Sequence, residues 1–286
     1  MIDMIKIKED YGMSELAVLK RHTSNIRKNI VKMVTEAGSG HPGGSLSSVE
    51  IVTAIYFTQM NINKDNLESN QRDRFVLSKG HAAPLLYAVL AEKGFLEEAE
   101  LLTLRKLGSR LQGHPSMTLL PGIDMSTGSL GQGISCAVGM ALSNKYHGLP
   151  YRVYTVLGDG ECQEGEVWEA AMSAAHYNLD NLVAVVDFNG LQIDGKVSDV
   201  MNPAPFEDKF KAFGWNVISV ENGNDIEEVI KALDEAKTVT GKPTAIIAKT
   251  IKGKGVSFME DKAGWHGVAP SAEECQQALK ELEGKE

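Results

Sequence analysis

Only three cysteines occur in 286 residues, Cys136, Cys162 and Cys275. Their odd number and lack of metal-ligand spacing give no basis for a disulfide framework or a zinc site. No block of basic residues stands out: 29 Lys and Arg against 38 Asp and Glu leave a net charge of -9. Nothing in that balance would follow a nucleic-acid backbone, so nucleic acid is not expected as a partner. The amino terminus lacks an apolar core of signal-peptide length and no later run approaches a membrane span, so a soluble cytoplasmic protein without a membrane partner is expected. Internal repeats and a convincing domain boundary are also missing. With 43% hydrophobic residues the chain can bury an ample core, and one domain over residues 1–286 is the expectation.

Apolar periodicity supplies the architecture. Leu16, Leu19, Ile26, Ile30, Met33 and Val34 form one stripe, which predicts a long entry helix over 14–37 ended by Gly38. Further helices are expected over 81–93, 97–107, 129–147, 164–177, 206–213, 226–239 and 271–282, and one capped by Ser47 or Ser48 and running through Met60. Short β-branched runs predict strands at 74–78, 153–157, 182–188, 215–220 and 244–249. Helices alternating with strands predict an α/β fold: a doubly wound, mostly parallel sheet with helices on both faces and an N-terminal helical extension. The Gly/Pro/Ser-rich segment 108–128 is too long for an ordinary connection and reads as a functional loop, and 252–268 reads as a mobile one.

The central segment carries the chemistry. RVYTVLGDGECQEGEVWEAA (152–171) and NLVAVVDFNGLQIDG (181–195) give an apolar run, a Gly-Asp-Gly turn, a helix, a second apolar run and an Asn, in the order of a βαβ unit. Parallel strands ending at one edge would set Asp159 beside Asn189. Their oxygens, with a backbone carbonyl just beyond Asn189, suit a magnesium ion that also holds diphosphate oxygens. Gly160 would let backbone approach the diphosphate, and the helix beginning near Glu164 would aim N–H groups at it. Taken alone, Asp-Gly is a turn pair; the second strand and Asn189 turn it into a site. Asp187, next to these ligands, could orient them. His41, His81, His114 and His266 lie in Gly- or Pro-flanked loops, where functional groups concentrate, whereas His22, His147 and His176 fall on helices and read as ordinary residues. Cys162 reads as a small packed residue, although a reactive thiol is the alternative.

Gly-Asp-Gly followed by about thirty residues and an Asn resembles the magnesium-diphosphate motif of thiamine diphosphate enzymes. SGHPGGSLS (39–47), LSKGHAAPLLYA (77–88), QGHPSM (112–117), TGSLGQGISCAVGMA (127–141), KTIKGKGVSFME (249–260) and WHG (265–267) resemble, in order, the first domain of transketolases, from about Ser14 onward. The resemblance implies thiamine diphosphate and Mg as cofactors, with Asp159, Asn189 and the carbonyl of Leu191 on the metal. It implies that His81, Gly128, Ser129, Leu130, Gly160, Asn189 and His266 meet the cofactor, and that His41, His114 and His266 face the sugar as catalytic residues. It implies a transferase moving a two-carbon ketol unit between sugar phosphates in the pentose phosphate pathway. Family members working as one polypeptide are more than twice as long, so the match is to the N-terminal subunit of a split transketolase. Its partner would be a C-terminal subunit supplying the pyrimidine-binding and C-terminal domains, including an activating Glu, in an α2β2 heterotetramer. Glu164 and Glu169 match acidic residues between paired active sites, with exposed helix-face glutamates as the plain alternative. Other readings are a subunit of another sugar-phosphate ketolase, for instance for a less common pentose, or a non-catalytic binding protein on the same fold. A dinucleotide-binding dehydrogenase would need a well-placed GxGxxG, which is missing.

Overall fold

The computed structural model describes residues 12–283. Five strands, β1 (Arg74–Leu77), β2 (Val153–Gly158), β3 (Leu182–Phe188), β6 (Asn216–Val220) and β7 (Thr244–Lys249), form one parallel sheet in the order β1-β2-β3-β7-β6. A small antiparallel hairpin, β4 (Leu191–Gln192) with β5 (Gly195–Lys196), follows β3. Successive residues of a strand point to opposite faces, and both faces are covered. In β3, Val183 and Val185 enter one core while Leu182, Ala184 and Val186 enter the other. A strand buried on both sides must be apolar nearly throughout, as LVAVVDF is.

One face is packed by α1 (Gly12–Ala37), α2 (Pro42–Ser47), α3 (Val49–Ala54), α4 (Ala83–Glu92), α9 (Ile226–Thr238) and α10 (Ala272–Glu283). The opposite face is packed by α5 (Gln132–His147), α6 (Gly165–His176) and α8 (Phe206–Ala212), with the short α7 (Val197–Val200) beside the hairpin. The expected α/β fold with helices on both faces is therefore what the chain adopts. Among the described residues no helix is long and apolar enough to cross a membrane.

Several local expectations need correction. The helix assigned to Ser47 or Ser48 onward starts earlier, at Pro42, breaks at Ser48 and ends in a π turn over Ile55–Gln59. Neither serine side chain caps it. Ser47 Oγ donates to Asp187 Oδ2 at 2.6 Å, and Ser48 Oγ accepts from Lys79 Nζ at 2.9 Å, so both hydroxyls serve the site instead. The helix expected over 97–107 is a 3₁₀ segment, Glu98–Thr103, followed by Arg105 in the left-handed region at φ 60°. The helix expected from Ser129 begins at Gln132, because Gly131 at φ 82° turns the chain first. Segment 252–268 is packed rather than a free-standing loop: Val256 and Met259 are fully buried, and Trp265 Nε1 donates to the Phe258 carbonyl at 2.9 Å. At α10 the cap is reciprocal, Ser271 Oγ accepting from Glu274 N and Glu274 Oε2 from Ser271 N.

Candidate active site

Parallel strands bring their carboxyl ends to one edge of the sheet, and the chain leaves each end carrying a functional group. Lys79 and His81 follow β1, Asp159 and Gly160 follow β2, Asn189 and Leu191 follow β3, and Lys252 follows β7. His41, just before α2, His266, just after a 3₁₀ turn at Ala263–Trp265, and the loop at Gly128 and Leu130 complete the ring. These residues line one cavity of about 270 Å³. Two of the sequence-derived candidates stand beside it. Ser129 is exposed, and exposed His114 packs its ring on Gly128, where an added Cβ would lie 3.0 Å from the imidazole.

The proposed metal ligands adjoin. Asp159 Oδ1 accepts from Gly160 N at 2.8 Å and Oδ2 from Gly190 N at 2.5 Å, so the carboxylate ties the β2 end to the β3 end. Asn189 Oδ1 accepts from Leu191 N at 3.1 Å, while its Nδ2 donates to Asp187 Oδ2 at 3.0 Å. That donation fixes which end of the amide is oxygen. The Leu191 carbonyl accepts from Lys252 Nζ at 3.1 Å. Among the described residues no group of three or more His, Cys, Asp and Glu could hold a metal. The set here is one carboxylate with two neutral oxygens, an all-oxygen donor set that fits magnesium with phosphate oxygens and water. Burial, reinforced by Asp187, pushes the Asp159 carboxyl up to about 6, and a cation beside it would reverse that. The residues fit the group. The turn after Asp159 is a 3₁₀ segment, Gly160–Gln163, and α6 follows at Gly165 with Glu164 as its N-cap, so the helix begins where the sequence placed it.

The loop histidines converge. Ring centroids lie 5.4 Å apart for His41 and His81, 5.4 Å for His41 and His266, 5.3 Å for His81 and His266, and 6.4 Å for His41 and His114. His41 Nδ1 is buried without a hydrogen-bond partner. Lys252 Nζ lies 3.0 Å from His266 Nδ1; a protonated ammonium can only donate, which leaves the His266 proton on Nε2. Burial pushes His41 down to about 4, with Arg105 adding to it, and His266 down to about 3, with Lys252 adding to it. Burial and Lys79 push His81 well below its ordinary value. His22, His147 and His176 sit on helices away from this cluster.

Four residues of this site, Lys79, Lys252, Glu161 and Ile193, escaped the sequence reading. Lys79 is 1% exposed and pairs with Asp187, while also donating to the Gly44 carbonyl at 2.7 Å. Asp187 accepts further from Ser47, Thr250 and Asn189. Burial alone would raise its carboxyl, but Lys79 and these donors hold it below the usual range. Lys252, also 1% exposed, is brought down to about 8 by burial and by Lys79. Glu161 is a buried carboxylate on the cavity wall, and Ile193 is an exposed apolar side chain lining the same cavity. The only signal in the sequence was lysine inside Gly-rich turns at strand ends. Cys162 is fully buried, its Sγ 3.4 Å from the Gly158 carbonyl, and burial pushes its thiol well up; this is the packed reading. Glu164 and Glu169 are exposed.

A family model described as the transketolase thiamine diphosphate-binding domain matches residues 18–285. The chain belongs to the transketolase family. It is 46% identical over 272 residues to the 6-deoxy-6-sulfo-D-fructose transketolase subunit SqwG of Clostridium sp. (strain MSTE9), covering 95% of this chain and 98% of that one. It is 42% identical over 268 residues to an apulose-4-phosphate transketolase subunit of Phocaeicola vulgatus, covering 94% of this chain and 95% of the relative. Human transketolase is 45% identical over 276 residues, and there the match spans 94% of this chain but 42% of the relative. Among solved structures, transketolase of Pichia stipitis with sedoheptulose 7-phosphate superposes with a TM-score of 0.89 at 36% identity, over 93% of this chain and 41% of that one. The thiamine diphosphate expected from the motifs is thus the ligand of the matched transketolase domain, and the chain is a transketolase polypeptide with a transferase's fold and family.

Proposed function

We propose that this chain is the N-terminal, diphosphate-binding subunit of a transketolase that moves a two-carbon ketol unit from a ketose phosphate to an aldose phosphate. On this reading it forms a single domain and works with a C-terminal partner in an α2β2 assembly. The observation that carries the reading is the meeting of Asp159 and Asn189 with three loop histidines around one cavity at the carboxyl edge of the sheet. Support for a partner comes from the two relatives that are named as subunits and matched over nearly their full length.

Thiamine diphosphate, when bound, supplies the carbanion and the electron sink that the chemistry needs. The chain's own residues do the rest. Asp159, Asn189 and the Leu191 carbonyl would hold magnesium against the diphosphate, with Gly160 leaving room and Lys252 and His81 adding positive charge or N–H donors. Leu130 and Ile193 would offer apolar walls to the rings, alongside the backbone of Gly128 and Ser129. His41 and His266, kept neutral by burial, can donate an N–H to oxygen that gains negative charge and can accept a proton in return. His114 would orient a sugar hydroxyl from the rim. A less common sugar is a second reading, favoured by relatives named for apulose 4-phosphate and 6-deoxy-6-sulfo-D-fructose.

The test uses the chain assembled with its partner, magnesium and thiamine diphosphate, and measures ketol transfer to ribose 5-phosphate. Transfer is expected with magnesium and its loss with chelator, and Asp159→Ala should weaken cofactor binding at least about tenfold by calorimetry, equivalent to about 1.4 kcal/mol. Unchanged affinity in Asp159→Ala would remove the metal assignment.

A further inference from the structure

Glu161 is a buried carboxylate that the reaction does not need. It is 2% exposed and lies one residue beyond the Gly-Asp-Gly turn. Its oxygens are engaged by three donors from three separate segments. Oε1 accepts from Ser78 Oγ at 2.5 Å and from Gly131 N at 3.0 Å, and Oε2 accepts from Gly158 N at 3.0 Å. Ser78 follows β1 and leads to Lys79 and His81. Gly158 ends β2 and leads to Asp159. Gly131 closes the loop that carries Gly128 and Leu130. One carboxylate therefore ties together the three segments that form most of the cavity wall.

We infer that Glu161 is a positioning residue that fixes the spacing of the diphosphate-binding turn, the strand-end lysine-histidine segment and the ring-facing loop, so that the cofactor meets a preformed site. A neutral isostere cannot satisfy both backbone N–H groups at once, so the site requires an acceptor at each end of the side chain. A glutamine at this position offers one oxygen and one amide nitrogen. Whichever way it turns, that nitrogen faces a backbone N–H that is then left buried without an acceptor. A hydroxyl such as Ser78 Oγ could rotate to accept; Gly131 N and Gly158 N could not.

This inference rests on the reading that thiamine diphosphate occupies the cavity, and the experiment separates the two. Calorimetry on the chain assembled with its partner would measure thiamine diphosphate binding with magnesium for the wild type, Glu161→Gln, Ser78→Ala and the double variant, at a temperature where circular dichroism shows each folded. Glu161→Gln should raise the cofactor Kd about tenfold or more, and Ser78→Ala by less, with coupling in the double variant; tenfold corresponds to about 1.4 kcal/mol. At saturating cofactor, kcat and the sugar KM should return toward wild type, which a generally loosened fold would not allow. A wild type that binds no thiamine diphosphate overturns the functional reading. A wild type that binds it, with Glu161→Gln binding equally well or merely melting earlier, overturns the role of Glu161. If Glu161→Gln does not fold, an unaltered cofactor Kd in Ser78→Ala does the same.

Discussion

A histidine held neutral at pH 6 is a different reagent from one that titrates there. His41 is brought to about 4 and His266 to about 3, both by burial first, and then by Arg105 and Lys252 respectively. Their ordinary value is 6.5, so between that pH and about 4 the unfolded chain binds protons that the folded chain refuses. The contribution of these two histidines to stability is therefore complete above about pH 6.5 and is lost as the pH drops toward 4, a sign fixed by their lowered folded values, while the raised Asp159 carboxyl opposes it below about pH 6. Urea unfolding of the cofactor-free chain at pH 7.5, 6 and 5 should show this loss, and His41→Asn should flatten it; an unchanged slope in the variant would mean that His41 titrates normally. The four loop histidines, Asp159 and Asn189 were legible in the sequence because turn residues around them fix where they sit. Lys79, Lys252 and Glu161 were not. A charged residue in a sequence reads as surface, and what buries these three is a set of partners from distant segments, such as Asp187 for Lys79 and Gly131 for Glu161.

Elements were legible where period and burial agreed. The strands β2, β3 and β7 came out within a residue or two of their expected bounds because both faces are covered and their apolar runs are unbroken. Two of the errors fell at element starts near the site, where tertiary demands override local preference. Ser47 and Ser48 look like caps but turn inward to Asp187 and Lys79, and Gly131 delays α5 by three residues relative to Ser129. Close packing at that same start makes a prediction. In the first turn of α5, a Cβ on Gly133 would lie 2.6 Å from both Cα and Oγ of Ser78 at the β1 end. The contact includes backbone, so it cannot be relieved by a rotamer change alone. Gly133→Ala should destabilise the chain by about 1–3 kcal/mol despite alanine's better helix propensity. Denaturant titration checks this, and a neutral or stabilising effect would mean that α5 moves freely against β1.

At the scale of the molecule, two exposed apolar side chains, Leu130 and Ile193, line the cavity. Apolar groups gathered around a polar cleft suit a surface that another polypeptide covers. The chain mixed with its C-terminal partner should sediment as an α2β2 species and gain ketol transfer that neither polypeptide shows alone. Turnover by the isolated chain, free of partner by mass spectrometry, would end that reading. The topology also governs how a newly made chain matures. β1 pairs with β2 across the loop that carries His114 and the whole of α5, and β3 reaches β7 only after β6 and α9 have been made. No early fragment owns the site: its histidines run from His41 to His266, and its anion-facing groups stand at strand ends that align only when the sheet is closed. Pairing across such long separations is slow. The site therefore comes together only once the chain through His266 has been made and the sheet has closed, which places ligand capture late in folding.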